Sequence, residues 1–188
     1  SRFDPIAVVA SSASDAAQRS LAVSVYKASA QVANLIVQGA SALAAADSGT
    51  SKEAAASKIT ASIAQLIGQS PTAIDFAQPS TIKQVLIDAA SSIGSGIAVA
   101  GVSDQLSLVM AASNAAVAQA AAATGASNGS LVALESIVKA QVVAQGDAAL
   151  AIAAAVKTGE AATLKSNFSG EALQAKLAQA VIGTIAET

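Results

Sequence analysis

The chain has 188 residues, of which 53% are hydrophobic and only 2% aromatic, and its formal net charge is −2. It contains no Cys, His or Trp. These counts exclude a thiolate nucleophile, a disulfide framework, a Cys/His zinc site and a His general base. The scattered Lys and Arg residues form no basic stripe, so we do not expect nucleic acid as a partner.

Taken in chain order, the sequence first predicts a short helix and then a long one. Alanine dominates and has the highest intrinsic helix propensity. Asp4-Pro5 is typical of a cap and first helical residue, and predicts a helix to about Ala10. Ser14-Asp15 opens the longest predicted helix, which ends near Ala46. Its predicted buried face is Leu21, Val25, Ala28, Val32, Leu35, Ile36, Gly39 and Leu43, spaced by three and four.

The middle of the chain predicts two helices joined by a short connector. Thr50-x-x-Glu53 indicates a capping box, and the helix after it ends before Pro71. Its predicted apolar positions are Ile59, Ile63, Leu66 and Ile67. Residues 71–79 form the connector, with Phe76 as its anchor. Ser80 or Thr81 is the predicted cap of the next helix, whose inward residues are Ile82, Val85, Leu86, Ala89 and Ile93.

The remaining predicted helices are separated by Gly, Asn and Asp. Residues 94–96 break or bend the chain, Asp104 opens a helix that closes at Gly125, and residues 128–130 form a turn and cap. Further helices are predicted from there to about Ala144, from 146–147 to Val156, from 159–160 to Leu164, and after Ser169. Their inward positions are Leu106, Val109, Met110, Ala116, Val117, Leu131, Leu134, Ile137, Val138, Val142, Leu173, Leu177, Val181 and Ile182.

Together these patterns predict an all-α fold, a bundle of roughly eight Ala-rich helices with no sheet. We expect residues 1–188 to form a single, monomeric domain. The chain begins at Ser1 without Met or a signal peptide, so we expect it to be a segment of a much larger protein. The apolar stretch ALAIAAAVKTG is bounded by Asp147 and Lys157, and AAVAQAAAATG is nearly all Ala, which partitions weakly into lipid, so no membrane span is predicted.

Two motifs raise the question of an acyl-enzyme. Ser-x-x-Lys occurs at 24–27, 80–83 and 136–139, and Lys-Thr-Gly at 157–159, as in penicillin-binding proteins and β-lactamases. However, Ser and Lys are frequent here, residues 103–105 lack the Asn of the family's middle motif, and nothing near 157–159 resembles a strand. We therefore predict no enzyme: Lys157 lies in a last helical turn, and Gly159 ends that helix in the left-handed conformation.

The other candidate residues have structural explanations as well. Gly94-x-Gly96 predicts a hinge or a close helix crossing, and Tyr26 a packing anchor. Asn128 and Asn167 each begin a glycosylation triplet but are explained as a turn residue and a helix-entry residue. No calcium-loop pattern surrounds the isolated carboxylates, which are explained as caps or surface charges: Asp75, Asp88, Asp104 and Asp147. The sequence thus predicts no catalytic, cofactor-binding or metal-binding residue, and no cofactor in this domain.

Four stretches, in this order, resemble a known kind of module: FDPIAV (3–8), VYKASAQVANLIVQGA (25–40), KAQVVAQGDAALAIAAAVKTGE (139–160) and NFSGEAL (167–173). They are similar to an Ala-rich, all-helical module of very large bacterial exoproteins that also carry cadherin-like domains or haemolysin-type (RTX) calcium-binding repeats. The resemblance implies secretion to the cell surface or medium, through a type I system that reads a C-terminal signal. It implies no catalytic residue, and it assigns the calcium sites to neighbouring repeats.

Two hypotheses follow for the function. In the first, the chain is a non-catalytic structural or interaction module, a helical spacer or adhesion-associated domain, and its partners are neighbouring domains of the same polypeptide, another protein or a surface. In the second, it is a phasin-like amphipathic binder of lipid or hydrophobic surfaces, which needs an exposed apolar stripe in the free protein.

Overall fold

The computed structural model describes residues 3–11, 13–122 and 129–182. Within these residues the fold is all-α, with nine helices and no strand, which confirms the predicted fold class. The helices are α1 (Pro5–Ala10), α2 (Ala16–Ala46), α3 (Lys52–Gln69), α4 (Pro79–Ser91), α5 (Gly96–Ala100), α6 (Ser103–Ala122), α7 (Gly129–Thr158), α8 (Leu164–Asn167) and α9 (Gly170–Gln179).

Side-chain caps explain where the first two helices begin. The Asp4 carboxylate accepts hydrogen bonds from the amides of Ile6 and Ala7 at 2.9 and 3.2 Å, which supplies partners for two amides of the first turn. Asp15 and Gln18 form a reciprocal capping box at the start of α2. Both predicted starts are confirmed.

The predicted cap of α3 is wrong by one residue, and that of α4 by two or three. Ser51, not Thr50, caps α3 and accepts from the amide of Ala54 at 3.2 Å. Thr50 instead donates to the carboxylate of Asp47 at 2.6 Å, because the tight turn after α2 places the two side chains together. Helix α4 begins at Pro79, whose fixed φ suits the first helical position, and the preceding Gln78 makes no side-chain cap hydrogen bond.

The predicted buried face of α2 is right in its second half and wrong in its first. Leu35, Gly39 and Leu43 are buried, whereas Leu21, Val25 and Ala28 are exposed. Buried in their place are small or short side chains, Ala22, Val23 and Ala30, in the half of α2 that shares an apolar cluster with α1 and α7. Both faces of this half carry apolar residues, so periodicity alone could not choose between them.

Helix α7 is continuous from Gly129 to Thr158, and the predicted cap at 146–147 is wrong. The chain passes through one π-helical turn, Ala144–Ala148, rather than ending and restarting. Leu131 and Val142, predicted to face inward, are 49% and 44% exposed. This is the one helix in the described residues that is long and apolar enough to span a membrane, by length and composition alone.

The C-terminal elements also depart from the sequence predictions. Residues 159–160 do not open a helix: the chain turns there, and the next helix, α8, begins at Leu164. Ser169 precedes α9 as predicted, but its hydroxyl donates back to the carbonyl of Lys165 at 2.6 Å instead of capping. Val181 lies beyond the end of α9 and is 83% exposed. The short α5 was not predicted, and Gly125, the predicted end of α6, lies outside the described residues.

Two apolar clusters form the core, and the three longest helices contribute to both. The first contains the second half of α2, the first half of α6 and the C-terminal part of α7, with α3, α4, α5 and α8. Phe76 belongs to it, as predicted for the connector's anchor. The second contains the first half of α2, the end of α6 and the N-terminal part of α7, with α1 and α9.

Helices α2 and α3 approach closely at a glycine. A Cβ built on Gly39 would lie 2.7 Å from Cδ1 of Ile59, which is fully buried in the first cluster. Small residues at such positions let two helix axes come near each other, and the larger Ile fills the space that remains.

Two neighbouring side chains on α7 test which face is buried. Ile152 is fully buried and Leu150 is 68% exposed. We expect Ile152→Ala to lower the free energy of unfolding by about 2–4 kcal/mol, because it leaves a cavity. Leu150→Ala should change it by less than about 0.5 kcal/mol. Urea melts of both variants measure the difference, and equal losses would show that the face is misassigned.

Candidate functional site

The three Ser-x-x-Lys tetrads lie on α2, α4 and α7, and the Lys-Thr-Gly triplet lies at the end of α7. Lys83 of the second Ser-x-x-Lys tetrad pairs with Asp104 at 2.7 Å, and Lys139 of the third pairs with Glu135 at 3.0 Å. In the described parts of the chain, no hydrogen bond joins a Ser and a Lys side chain within any of the three tetrads. Lys157 lies in the last turn of α7, and Gly159 has φ 72° and ψ 6°, as predicted. The triplet is therefore a helix end.

The isolated carboxylates have structural partners. Asp75 accepts from the amide of Ala77 at 2.8 Å, within the connector before α4. Asp88 accepts from Gln84 on the same helix, at 2.8 Å. Asp104 accepts from Lys83, and Asp147 from Lys176 on α9 at 3.4 Å. Among the described residues no three His, Cys, Asp or Glu side chains lie close enough to hold a metal ion.

The other candidates are dispersed over the fold. Gly94 has φ 75° and lies in the turn between α4 and α5, which agrees with the predicted break. Tyr26 packs against the second apolar cluster, and this partial burial raises the pKa of its hydroxyl. Asn167 is exposed and is the last residue of α8, so the prediction that it enters a helix is wrong. Asn128 lies outside the described residues.

A groove of about 640 Å³ lies beside the Lys-Thr-Gly triplet, between the start of α6, the end of α7 and α8. Its floor includes the buried side chains of Val102, Leu164 and Phe168. Among the described residues that line the groove, Glu160 is the one titratable residue, and it is exposed. A single exposed carboxylate provides no acid–base pair, so the groove offers shape rather than a convergent catalytic arrangement.

The most distinctive constellation was not predicted from the sequence: it is a layer of buried polar side chains between the two apolar clusters. On α2 it consists of Gln31, Asn34 and Gln38, which are 7%, 0% and 0% exposed. On α6 the layer consists of Ser113 and Asn114, which are also buried. Gln31, Asn34 and Gln38 repeat at steps of three and four, the same spacing as the apolar residues, and this signal could have revealed the layer.

Asn114 is the centre of the layer. Its amide nitrogen donates to the backbone carbonyls of Phe76 at 2.8 Å and of Gln31 at 3.2 Å. Gln31 returns a bond to the backbone carbonyl of Asn114 at 3.0 Å, and Asn34 donates to its side-chain oxygen at 3.3 Å. One residue thus ties α6 to α2 and to the connector before α4.

Gln38 extends the layer to α7. Its amide nitrogen donates to the Ser113 hydroxyl at 3.2 Å and to the carbonyl of Ala144 at 3.0 Å. Gln145 of α7 donates to the side-chain oxygen of Asn34 at 3.1 Å. The Oε1 atom of Gln38 is buried and has no hydrogen-bond partner among the residues that the structure describes. Amides and hydroxyls do not change charge near neutral pH, so the layer can position helices but supplies no general acid or base.

Comparison of the chain with protein-family models, with curated proteins and with solved structures gives no match.

The Lys-Thr-Gly triplet gives a test that separates a helix end from a catalytic motif. No atom outside the backbone turn lies within 4 Å of a Cβ built on Gly159, so Gly159→Ala meets only the unfavourable positive φ. We expect it to cost about 1 kcal/mol in a urea melt. Lys157→Ala should cost a few tenths, about the scale of an exposed charge at a helix C-terminus.

A labelling experiment completes this test. The parent protein is incubated with a fluorescent penicillin, and we expect no covalent adduct. Stoichiometric labelling that Lys157→Ala abolishes would contradict the structural reading of the triplet.

Acid sensitivity of the turn after α2 gives a further prediction. The Thr50 hydroxyl and then the Gly49 amide donate to Asp47 and lower the pKa of its carboxyl. A depressed pKa stabilises the fold above the unfolded-state value of about 3.9, and this contribution is lost as the pH falls through the folded-state pKa. The difference in Tm between the parent and Asp47→Ala should therefore be constant from pH 7 to 5 and shrink below about pH 4.

Thr50→Val is the matched control for this titration, because it keeps the carboxylate and removes its first donor. The Tm difference between Thr50→Val and Asp47→Ala should depend less on pH than the Tm difference between the parent and Asp47→Ala. A difference between parent and Asp47→Ala that stays the same down to pH 2 would contradict the assignment.

Proposed function

We propose that the chain is a non-catalytic structural or interaction module of a large secreted or cell-surface bacterial protein. It holds a fixed shape within that polypeptide and contacts neighbouring domains, another protein or a surface. The domain carries out no chemistry of its own and uses no cofactor.

The polar layer is the observation that carries this proposal. Its amides join three helices of 31, 20 and 30 residues in one arrangement. A helix of about 30 residues is roughly 45 Å long, so a fixed unit of this length suits a module that positions other domains. The four isolated aspartates described above accept hydrogen bonds within the connector or along a helix, or form surface ion pairs, which also supports a structural role.

Localisation and size test the proposal together. An antibody raised against this domain is used to blot the medium, the cell surface and the cytoplasm of the source bacterium. The proposal predicts a surface or medium band much larger than 18.1 kDa. A cytoplasmic band near that mass would overturn it.

Helix α7 favours a second candidate function, phasin-like binding of lipid or another hydrophobic surface. Leu131, Val142 and Leu150 are 49%, 44% and 68% exposed along this helix. Only 39% of its most apolar window is buried in the bundle. Exposed apolar side chains in a row on one helix are what such a surface would contact.

ANS fluorescence and flotation with phosphatidylcholine vesicles distinguish the two candidates. Surface binding predicts ANS enhancement and co-flotation that Leu150→Ser together with Val142→Ser abolishes. Ile67→Ser is the matched control, because Ile67 is similarly exposed, at 53%, but lies on α3. A parent that neither binds ANS nor floats would exclude the second candidate and leave the first.

A further inference from the structure

The π-helical turn in α7 absorbs one extra residue. Ala140, Ala144, Ala148 and Ile152 follow one another at steps of four and are all buried. Across the twelve steps from Ala140 to Ile152, a regular helix would make three full turns plus about 120°. The buried face would therefore rotate around the helix by that angle. A π turn contains one more residue per turn, which reduces this rotation to about 20°. The turn therefore keeps one buried face along the whole helix.

Charged residues make it unfavourable for either half of α7 to shift by one residue relative to the helices that cover its buried face. In the C-terminal half of α7, a slip would bring Asp147 to the position of Ala148 or Lys157 to the position of Val156. In the N-terminal half, it would bring Glu135 or Lys139 inward in the same way. All four charged residues now lie outside the buried set of α7. Burying any of them without a partner would be strongly unfavourable, so the extra residue has to stay within the π turn.

The polar layer contacts the turn directly. Gln38 donates to the carbonyl of Ala144, the first residue of the π turn, and Gln145, the second, donates to Asn34. In a π turn the backbone hydrogen bonds join residues i and i+5 instead of i and i+4, so some helix carbonyls need another donor. Side chains from a neighbouring helix can supply that donor.

We propose that the π turn is a one-residue insertion in α7, held in place by Gln38, that sets the register of this helix across the polar layer. The same device aligns the exposed residues. Leu131 and Val142 are eleven residues apart, and Val142 and Leu150 are eight apart with the π turn between them. With one residue absorbed, all three lie within about 20° of one line. This inference does not depend on either proposed function.

Single-residue deletions test the proposal. Deleting Gly146 should convert the π turn into regular helix with both halves of α7 still in register, and no side chain is lost because Gly146 has none. We expect a cooperative thermal melt with Tm within about 5 °C of the parent. Deleting Ala153, which is also partly exposed but lies in regular helix, either moves Ile152 off the buried face, if the π turn absorbs the deletion, or brings Lys157 to the position of Val156, if it does not. It should lower Tm by more than about 15 °C or abolish the cooperative melt. Equal losses from the two deletions, or an unfolded Gly146 deletion, would overturn the proposal.

Hydrogen exchange tests the role of Gln38. Gln38→Met should raise amide exchange at residues 144–149 by about tenfold or more, because the turn loses its donor. It should have no such effect in the protein that lacks Gly146. Gln119→Met, on the exposed side of α6, is the control and should leave these amides unchanged. Unchanged exchange in Gln38→Met would show that Gln38 does not hold the turn.

Discussion

The hydrogen bonds of Asn114 are the constraint on which the rest of the bundle depends. They join α6 to α2 and to the connector before α4, at the level where the two apolar clusters meet. Apolar packing between Ala-rich helices is tolerant of sliding, because small side chains fit many neighbours equally well. Buried amides are not tolerant, since each shifted register would leave donors and acceptors unpaired. The polar layer therefore gives the bundle one arrangement, and the π turn of α7 is fitted to it.

The all-α class and the approximate number of helices were predictable because local signals determine them. Asp4 and Asp15 are side-chain caps that precede a helix in both sequence and structure, and Gly159 has the positive φ expected of a residue that ends one. The facing of the helices was less predictable. The apolar spacing of α2 allows either Leu21 or Ala22 to be buried. Ala22 is buried because α1 and α7 pack against that side of the helix. The helix break predicted at Gly146 reflects a real change of period, which the structure accommodates with a π turn instead.

The candidate site illustrates the same limit. Lys157 and Gly159 could be assigned from local sequence, because a helix end needs only its own residues. The polar layer could not, because Gln38 finds its partners 75 and 106 residues away on α6 and α7. Gln and Asn are ordinary residues on an exposed helix face, so only the spacing of Gln31, Asn34 and Gln38 hinted at burial. Secretion and a surface role come from a family resemblance and stay proposals, since neither packing nor charge determines them.

The most direct test of this account is the stability of Asn114→Leu, measured by urea denaturation beside Gln119→Leu. Both substitutions put the same apolar side chain on α6, but Asn114 is buried in the layer and Gln119 is exposed. The account predicts that Asn114→Leu loses about 3 kcal/mol or more, because the buried carbonyl of Phe76 and the amide of Asn34 lose their partner and α2 loses its bond from Asn114 to the carbonyl of Gln31. Gln119→Leu should stay within about 0.5 kcal/mol of the parent. An Asn114→Leu protein as stable as this control would contradict the central role of the polar layer.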